Sequence, residues 1–455
     1  MEHLPQIEED GVIFDNLTII PGHSEPAVRN GAICISGDTI LDLGSSSDIR
    51  KKHHDKSVVD MAGYLACPGF VNAHTHAAMS FFRDLGHDNV KGTNPGNSMI
   101  EDFFFPSEAK LTEELISPLS YSYLADGLRS GVTFFGDAYF FARATCRAIE
   151  KIGLRGAVGE HHADLGGPLP AGQELWKKTK KWIDSWEFSN ITPVVYAHAA
   201  DTVSPSFLKE LSDYSSANKL PFHMHLSQTS GEWDRVHSRE KKSPVSVAHE
   251  AGALKENALL VHLLSIDEHD LKLIADSGAI AGLCPISEII YERAPKAREL
   301  MDANIPIALG TDCAASNDGA DVHNEAKFLS LLLRMQGQAP ESLNSEFLLD
   351  TITRNGARAL GSPFVGELTP GKKADLVFLR SAIDSQPVSK PYVNLMYSMG
   401  SRHVEHVLVD GKWALFNRNL VQVSEKDLKE EYEQAIREIQ RRTQLPIDIG
   451  ARNGL

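Results

Sequence analysis

The chain has 455 residues, 42% of them hydrophobic and 23% charged, with a formal net charge of −16. This length exceeds one ordinary core but suits a (β/α)8 barrel with appended elements; the acidic balance, with no long Lys/Arg run, argues against nucleic acid or an anionic membrane surface as partner. No apolar stretch approaches the roughly 20 residues of a membrane span.

The N-terminus is acidic and lacks the basic start and apolar core of a signal peptide, which predicts a cytoplasmic protein. Cys34, Cys67, Cys146, Cys284 and Cys313 are scattered and never in Cys-x-x-Cys spacing, so they read as reduced, buried small residues. From about residue 10 to 65, apolar and polar residues alternate between turn signals, as in Gly31-Ala32-Ile33-Cys34-Ile35-Ser36, which predicts short strands. Eight apolar runs follow, at 66–73, 132–135, 154–159, 192–197, 220–224, 259–261, 279–283 and 305–310, alternating with stretches of helical period. Strand and helix repeated in this way predict an α/β fold of the (β/α)8 TIM-barrel class. Two more helical stretches, near 322–336 and 344–360, complete it. Alternation returns from about 365 to 420, and a charged segment at 425–442 has the spacing of a surface helix. The expected organisation is a β-sandwich built from both chain ends (1–66 and 365–424), a barrel over 67–364, and a C-terminal helix and tail over 425–455.

In such a barrel the chemistry lies at the carboxyl ends of the strands. The first strand ends in His74 and His76, two residues of one face, and the second in Asp137 and Tyr139. Glu160, His161 and His162 end the third, and His198 the fourth. The fifth carries His223, His225 and then Gln228, the sixth His262, the seventh Ser287 and the eighth Asp312. A catalytic divalent metal takes His nitrogen and carboxylate oxygen ligands and keeps an open position for water, whose pKa it lowers. His74, His76, His225 and Asp312 supply that set. Asp312 can also take the proton of the attacking water and return it to the leaving group, and His262 can hold the hydroxide or a developing oxyanion. His223, one layer deeper than His225, reads as a core histidine bonded to a neighbouring strand. Of His161 and His162 only one can face the pocket, and Asp137 is a candidate to orient a ligand histidine.

Pro68-Gly69-Phe70-Val71-Asn72-Ala73-His74-Thr75-His76, with His225, His262 and Gly310-Thr311-Asp312, resembles the amidohydrolase superfamily in its one-metal branch. Ala314-Ala315-Ser316-Asn317 narrows the resemblance to the group containing S-adenosylhomocysteine and methylthioadenosine deaminases and the s-triazine hydrolases. It implies one divalent ion on His74, His76, His225 and Asp312, zinc first and iron as the alternative, and a hydroxide-orienting His262. It also places Glu108 at a ribose-binding position and His198 at a substrate position. The alternative for Glu108 is a solvated residue capping the helix that begins near Leu111.

Two runs depart from the pattern. The fifth strand reads His225-Leu226-Ser227-Gln228 where the deaminases have His-x-x-Glu, and an amide cannot shuttle a proton, so Gln228 is expected to select substrate by hydrogen bonding. The seventh reads Cys284-Pro285-Ile286-Ser287-Glu288 in place of Asn-Pro-x-Ser-Asn. The expected activity is hydrolysis at an sp2 carbon of a small nitrogen heterocycle by metal-bound hydroxide, foremost deamination of a purine nucleoside, pterin or triazine. Displacement of another leaving group, such as halide or alkylamine, or opening of a cyclic amide is the alternative; the four ligands argue against a non-catalytic scaffold. The resemblance further implies a homo-oligomer.

Overall fold

The computed structural model describes residues 7, 11–23, 25–86, 98–169, 172–339 and 343–447; the outermost parts of the segments expected over 1–66 and 425–455 lie outside them. Eight parallel strands run in chain order: Phe70–Thr75, Val132–Tyr139, Arg155–Glu160, Ile191–Ala197, Phe222–Leu226, Leu259–His262, Ile280–Leu283 and Ile307–Leu309. Apart from the half-buried Thr192 and Pro193 of the fourth strand, every residue in them is buried, which is why they read in the sequence as apolar runs rather than as alternation. The ring closes where the first and last strands meet: Thr75 bridges Asp312, Asp312 N donates to His74 O at 3.0 Å, and His76 N donates to Asp312 O at 3.3 Å. Only glycine fits at Gly310, where a Cβ would come within 2.7 Å of His74 N and O.

The helices between the strands start on local signals. Ser204 accepts from Phe207 N ahead of Pro205–Ala217, with Pro205 in the first turn. Asp267 and Asp270 cap Glu268–Ser277 reciprocally, and that helix stops at Gly278, φ +72°.

The apolar run at 66–73 is not one strand. Tyr64–Pro68 pairs antiparallel with Leu376–Arg380 in a second sheet, and the barrel begins at Phe70. The chain crosses at Gly69, where a Cβ would lie 2.2 Å from Thr133 Oγ1 and where Gly69 N donates to Asp375 O. Both strands are buried, so the apolar pattern carries no mark of the break.

The second sheet has nine strands drawn from both chain ends. Phe14 and Trp413 lie on strands separated by three others, yet their ring centroids are 5.7 Å apart, with Phe378 between them at 5.2 Å from Phe14. The sheet therefore curls over and packs its own faces together, as the expected sandwich does. Arg155 joins it to the barrel: its guanidinium donates to both oxygens of Asp375 at 3.0 Å and to Asp410 Oδ1 at 3.0 Å, and Asp375 is 2% exposed.

The C-terminal helix Glu425–Thr443 is more than a surface element. It lays Leu428, Ala435, Ile436 and Ile439 against the helix Glu113–Arg129, following its apolar stripe at three- and four-residue spacing. No described helix is long and apolar enough to cross a membrane.

Candidate active site

The barrel seam puts His74, His76 and Asp312 side by side, and the fifth strand brings His225 across to them. His74 Nε2 lies 3.1 Å from His225 Nε2 and 3.7 Å from Asp312 Oδ1, and His76 Nε2 lies 3.5 Å from Asp312 Oδ1. The sixth strand places the His262 ring stacked on His225, centroids 5.3 Å apart. Three strand ends are held in left-handed backbone that non-glycine residues rarely adopt: Ser227 at φ +55°, His262 at +83° and Asp312 at +59°. Each costs about 1–3 kcal/mol, so the surrounding packing enforces these positions.

The donor set fits a divalent cation. Burial, and for His74 and His225 also their histidine neighbours, pushes the pKa of the three imidazoles down, well below the usual range for those two, leaving the neutral ligand form. The nitrogen of each ring turned away from the cluster has a partner: His76 Nδ1 donates to Ala138 O at 2.7 Å, His225 Nδ1 pairs with Tyr196 Oη at 3.1 Å, and His74 Nδ1 pairs with His223 Nε2 at 2.9 Å. With Nδ1 engaged, each Nε2 can present its lone pair inward. Ser287 Oγ donates to Asp312 Oδ2 at 2.6 Å, leaving Oδ1 towards the histidines.

A cavity opens onto this cluster, lined among others by His76, His198, His225, Asp312, Glu108 and Gln228. His74 lies behind it, and His262 borders a small adjoining recess that Gln228 shares. The walls are aromatic: Phe104, Phe105, Tyr139 and Phe140 face the cavity, whereas Phe134 and Phe135 are core. Such walls suit a planar ring with a few polar groups at its edge.

The structure brings together all eight predicted site residues and settles the readings around them. Glu108 is not a solvated cap: it is 4% exposed, accepts from Tyr139 Oη at 2.6 Å, and burial raises its carboxyl to about 7. His198 pairs through Nδ1 with Thr202 Oγ1 at 2.7 Å, and burial lowers its pKa to about 4, so it lines the cavity as a neutral ring. His161 faces the cavity, while His162 turns outward to Tyr196 O and Thr179 Oγ1.

Two readings are corrected. His223 does not bond a neighbouring strand but reaches across the barrel to His74, because alternate residues of the fifth strand share its inner face. Asp137 forms its hydrogen bonds with neither His74, His76 nor His225. It accepts from Thr75 Oγ1 and Ala77 N, pinning the backbone on either side of His76. Tyr196 and Glu288 were not singled out as site residues. Tyr196 sits among apolar residues of the fourth strand, and nothing in the sequence marks its hydroxyl. Glu288, whose Oε1 lies 3.1 Å from His262 Nδ1, stood in a run noted only for its departure from the pattern.

A model described as the amidohydrolase family matches residues 65–414. A 5-methylthioadenosine/S-adenosylhomocysteine deaminase of Syntrophobacter fumaroxidans is 30% identical over 412 residues, covering 88% of this chain and 91% of its own. A 5'-deoxyadenosine deaminase of Methanosphaera stadtmanae is 29% identical over 426 residues, 92% and 97% of the two chains. Among solved structures, an adenosine deaminase from Xanthomonas campestris with bound zinc superposes with a TM-score of 0.87 at 24% identity, covering 94% and 98% of the chains. An atrazine chlorohydrolase from Arthrobacter aurescens, complexed with zinc, gives 0.85 at 20% identity over 93% and 100%.

Proposed function

The chain belongs to the amidohydrolase family, and from that premise we propose that it is a metal-dependent aminohydrolase whose substrate is an adenosine-type nucleoside. The observation that carries this reading is the convergence of three neutral imidazoles and Asp312 at the floor of an aromatic-walled cavity with Glu108 and His198 above.

His74, His76, His225 and Asp312 would hold one divalent ion, proposed as zinc on the strength of the zinc-bound neighbours, with iron as the alternative. A divalent ion held there supplies Lewis acidity, lowering the pKa of water towards neutrality. Asp312 takes a proton from the attacking water and passes it to the departing amino group. The water oxygen adds to the ring carbon and the ring C=N becomes C–N; the bond to the amino group then breaks, ammonia leaves with the proton relayed by Asp312, and the second water proton ends on the adjacent ring nitrogen as the carbonyl forms. His262 holds the attacking oxygen in line with that carbon. The Gln228 amide, which cannot transfer a proton, hydrogen-bonds the ring edge and selects the heterocycle. Glu108 accepts from sugar hydroxyls, while Tyr139 and the phenylalanines exclude water and hold the base flat.

Gln228 also supports a second reading, displacement of a leaving group that needs little protonation, such as halide or alkylamine on a triazine. Both readings are tested by metal analysis followed by an ammonia-release screen across adenosine, 5'-deoxyadenosine, methylthioadenosine, S-adenosylhomocysteine, pterins and aminotriazines. We expect ammonia from the nucleosides and loss of at least about a thousandfold in kcat for Asp312→Asn, the scale of losing an essential proton-transfer group. Silence from the metal-loaded protein across the panel selects the second reading. A chain without bound metal, or an unaffected Asp312→Asn, removes both. The five buried free cysteines support placing the enzyme in a reducing compartment, the cytosol. Self-association rests on the resemblance and is checked by sedimentation.

A further inference from the structure

At the sixth strand end, His262 has its two ring nitrogens in contrasting surroundings. Nδ1 lies 3.1 Å from Glu288 Oε1, whereas Nε2 is buried with no partner in the protein. Glu288 comes from the short helix Pro285–Tyr291 that follows the seventh strand, and it is 1% exposed. Its carboxyl is anchored at the start of that helix, because Cys284 N donates to the same Oε1 at 2.9 Å. The other oxygen, Oε2, is buried and has no partner. The backbone that presents His262 is strained over two successive residues, with φ of +83° at His262 and +54° at Leu263. Non-glycine residues stay in that region only where their surroundings over-determine them.

This arrangement fixes a proton. Oε1 already accepts an N–H from Cys284, so it is an acceptor in this site. A carboxyl proton on Oε2 would have nothing to bond to, and a buried unpaired donor costs about 1–3 kcal/mol. Burial raises the Glu288 carboxyl, but its bonds to His262 and Cys284 N oppose this, and with the carboxylate ionised the contact to His262 is satisfied when Nδ1 carries the proton and donates it. In a neutral imidazole the other nitrogen, Nε2, then holds the lone pair. We propose that Glu288 is a positioning residue that locks His262 in its Nδ1–H tautomer and turns the Nε2 lone pair to the attacking water, making His262 a hydrogen-bond acceptor.

An acceptor at this point orients the water: one O–H points at Nε2 and the oxygen lone pair is left for the substrate carbon. The opposite tautomer would offer Nε2–H as a donor and occupy that lone pair. The seventh strand thus contributes chemistry through two adjacent helix residues, Ser287 on Asp312 and Glu288 on His262. The catalytic half of the proposal rests on the hydrolase reading above, while the tautomer does not depend on any activity.

The experiment uses zinc-loaded, full-length protein with 15N-labelled histidine, the His262 signals being assigned by their loss in His262→Gln. The expected spectrum has the His262 proton on Nδ1 and an unprotonated Nε2. A proton on Nε2 alone overturns the proposal whatever the activity. Two variants separate placement from charge. Glu288→Gln keeps a carbonyl oxygen facing both Cys284 N and Nδ1, so the tautomer and most of kcat are expected to stay. Glu288→Met removes the acceptor, and we expect the tautomer preference to be lost and kcat to fall about 10–100-fold, the scale reported for groups that orient first-contact residues. KM and zinc content are expected to hold. A Met variant with wild-type kcat and tautomer, or a Gln variant that loses as much as Met, overturns the proposal. If Glu288→Met does not fold, the wild-type spectrum and the Gln variant still decide it. Failure of the hydrolase reading would show separately, as absent turnover with the tautomer as expected.

Discussion

Tyr139 donates its hydroxyl to Glu108 Oε1 at 2.6 Å, joining the second barrel strand to the short helix Phe105–Glu108 above the cavity. The bond holds the carboxyl at the cavity wall, where burial raises it to about 7 while the Tyr139 hydrogen bond acts in the opposite direction. Glu108→Ala is expected to raise KM for nucleosides by about 10–100-fold, the scale of one or two hydrogen bonds to a charged group, with little change for the free base. Above about pH 7 Glu108 is an ionised acceptor, so KM for ribosylated substrates should fall as pH rises through that value. Tyr139→Phe removes a bond that lowers the pKa, so it should move the limb to higher pH. An identical KM profile for nucleoside and free base would rule out the sugar contact.

Stability should carry the opposite pH signature. Glu108, Asp137 and Glu160 are each raised to about 7 by burial, against ordinary values of 4.5, 3.8 and 4.5. A raised carboxyl contributes stability that is present in full below its unfolded pKa and lost as pH rises through its folded one. The metal-free protein should therefore weaken from about pH 4 to about pH 7, each group contributing up to about 3–4 kcal/mol. Glu108→Gln stays neutral and should flatten part of that slope. Urea midpoints at both pH values measure it, and parallel slopes for the two proteins would contradict it.

His223 supports His74 from behind at 2.9 Å, and burial lowers its pKa to about 3, so it remains neutral across the working range. His223→Leu should weaken metal binding by about 10–100-fold, since it leaves His74 Nδ1 without its partner. Competition with a chelator measures the loss. Unchanged affinity would return His223 to a purely packing role.

Gln228 lines both the cavity and the recess beside His262. Gln228→Glu introduces a group that can give and take a proton, so we expect a new acidic limb in the kcat profile and a gain for substrates with poor leaving groups. An unchanged profile and substrate range would remove Gln228 from the chemistry.

Arg155 binds Asp375 and Asp410 between barrel and sheet, and its replacement leaves the Asp375 carboxylate buried without its cation. Arg155→Met should cost about 3–5 kcal/mol. Thermal unfolding measures the loss, and metal content should be preserved because the pair lies at the opposite end of the third strand from Glu160.

Much of this was legible because it is local. The eight strands announce themselves as apolar runs, and His74, His76, His225, His262 and Asp312 stand at their carboxyl ends. In a barrel that position alone selects the rim where side chains converge. The run at 66–73 was read as one strand because two buried strands meet there without a change of pattern. The C-terminal helix reads as a surface helix because its charged face outweighs the four apolar residues it buries.

The sequence by itself determined the barrel and the residue types able to bind a metal, since periodicity and residue chemistry act over a few positions; the departure at Gln228 stands out only against the pattern of the family it resembles. Only the tertiary structure decided what each histidine of the cluster leans on. His223 reaches His74 across 149 residues of chain, Tyr196 reaches His225 across 29, and Glu288 reaches His262 across 26. Whether such groups meet depends on strand stagger, ring orientation and the closing of the seam at Thr75 and Asp312, which arise when the whole sheet curls and have no local pattern to announce them.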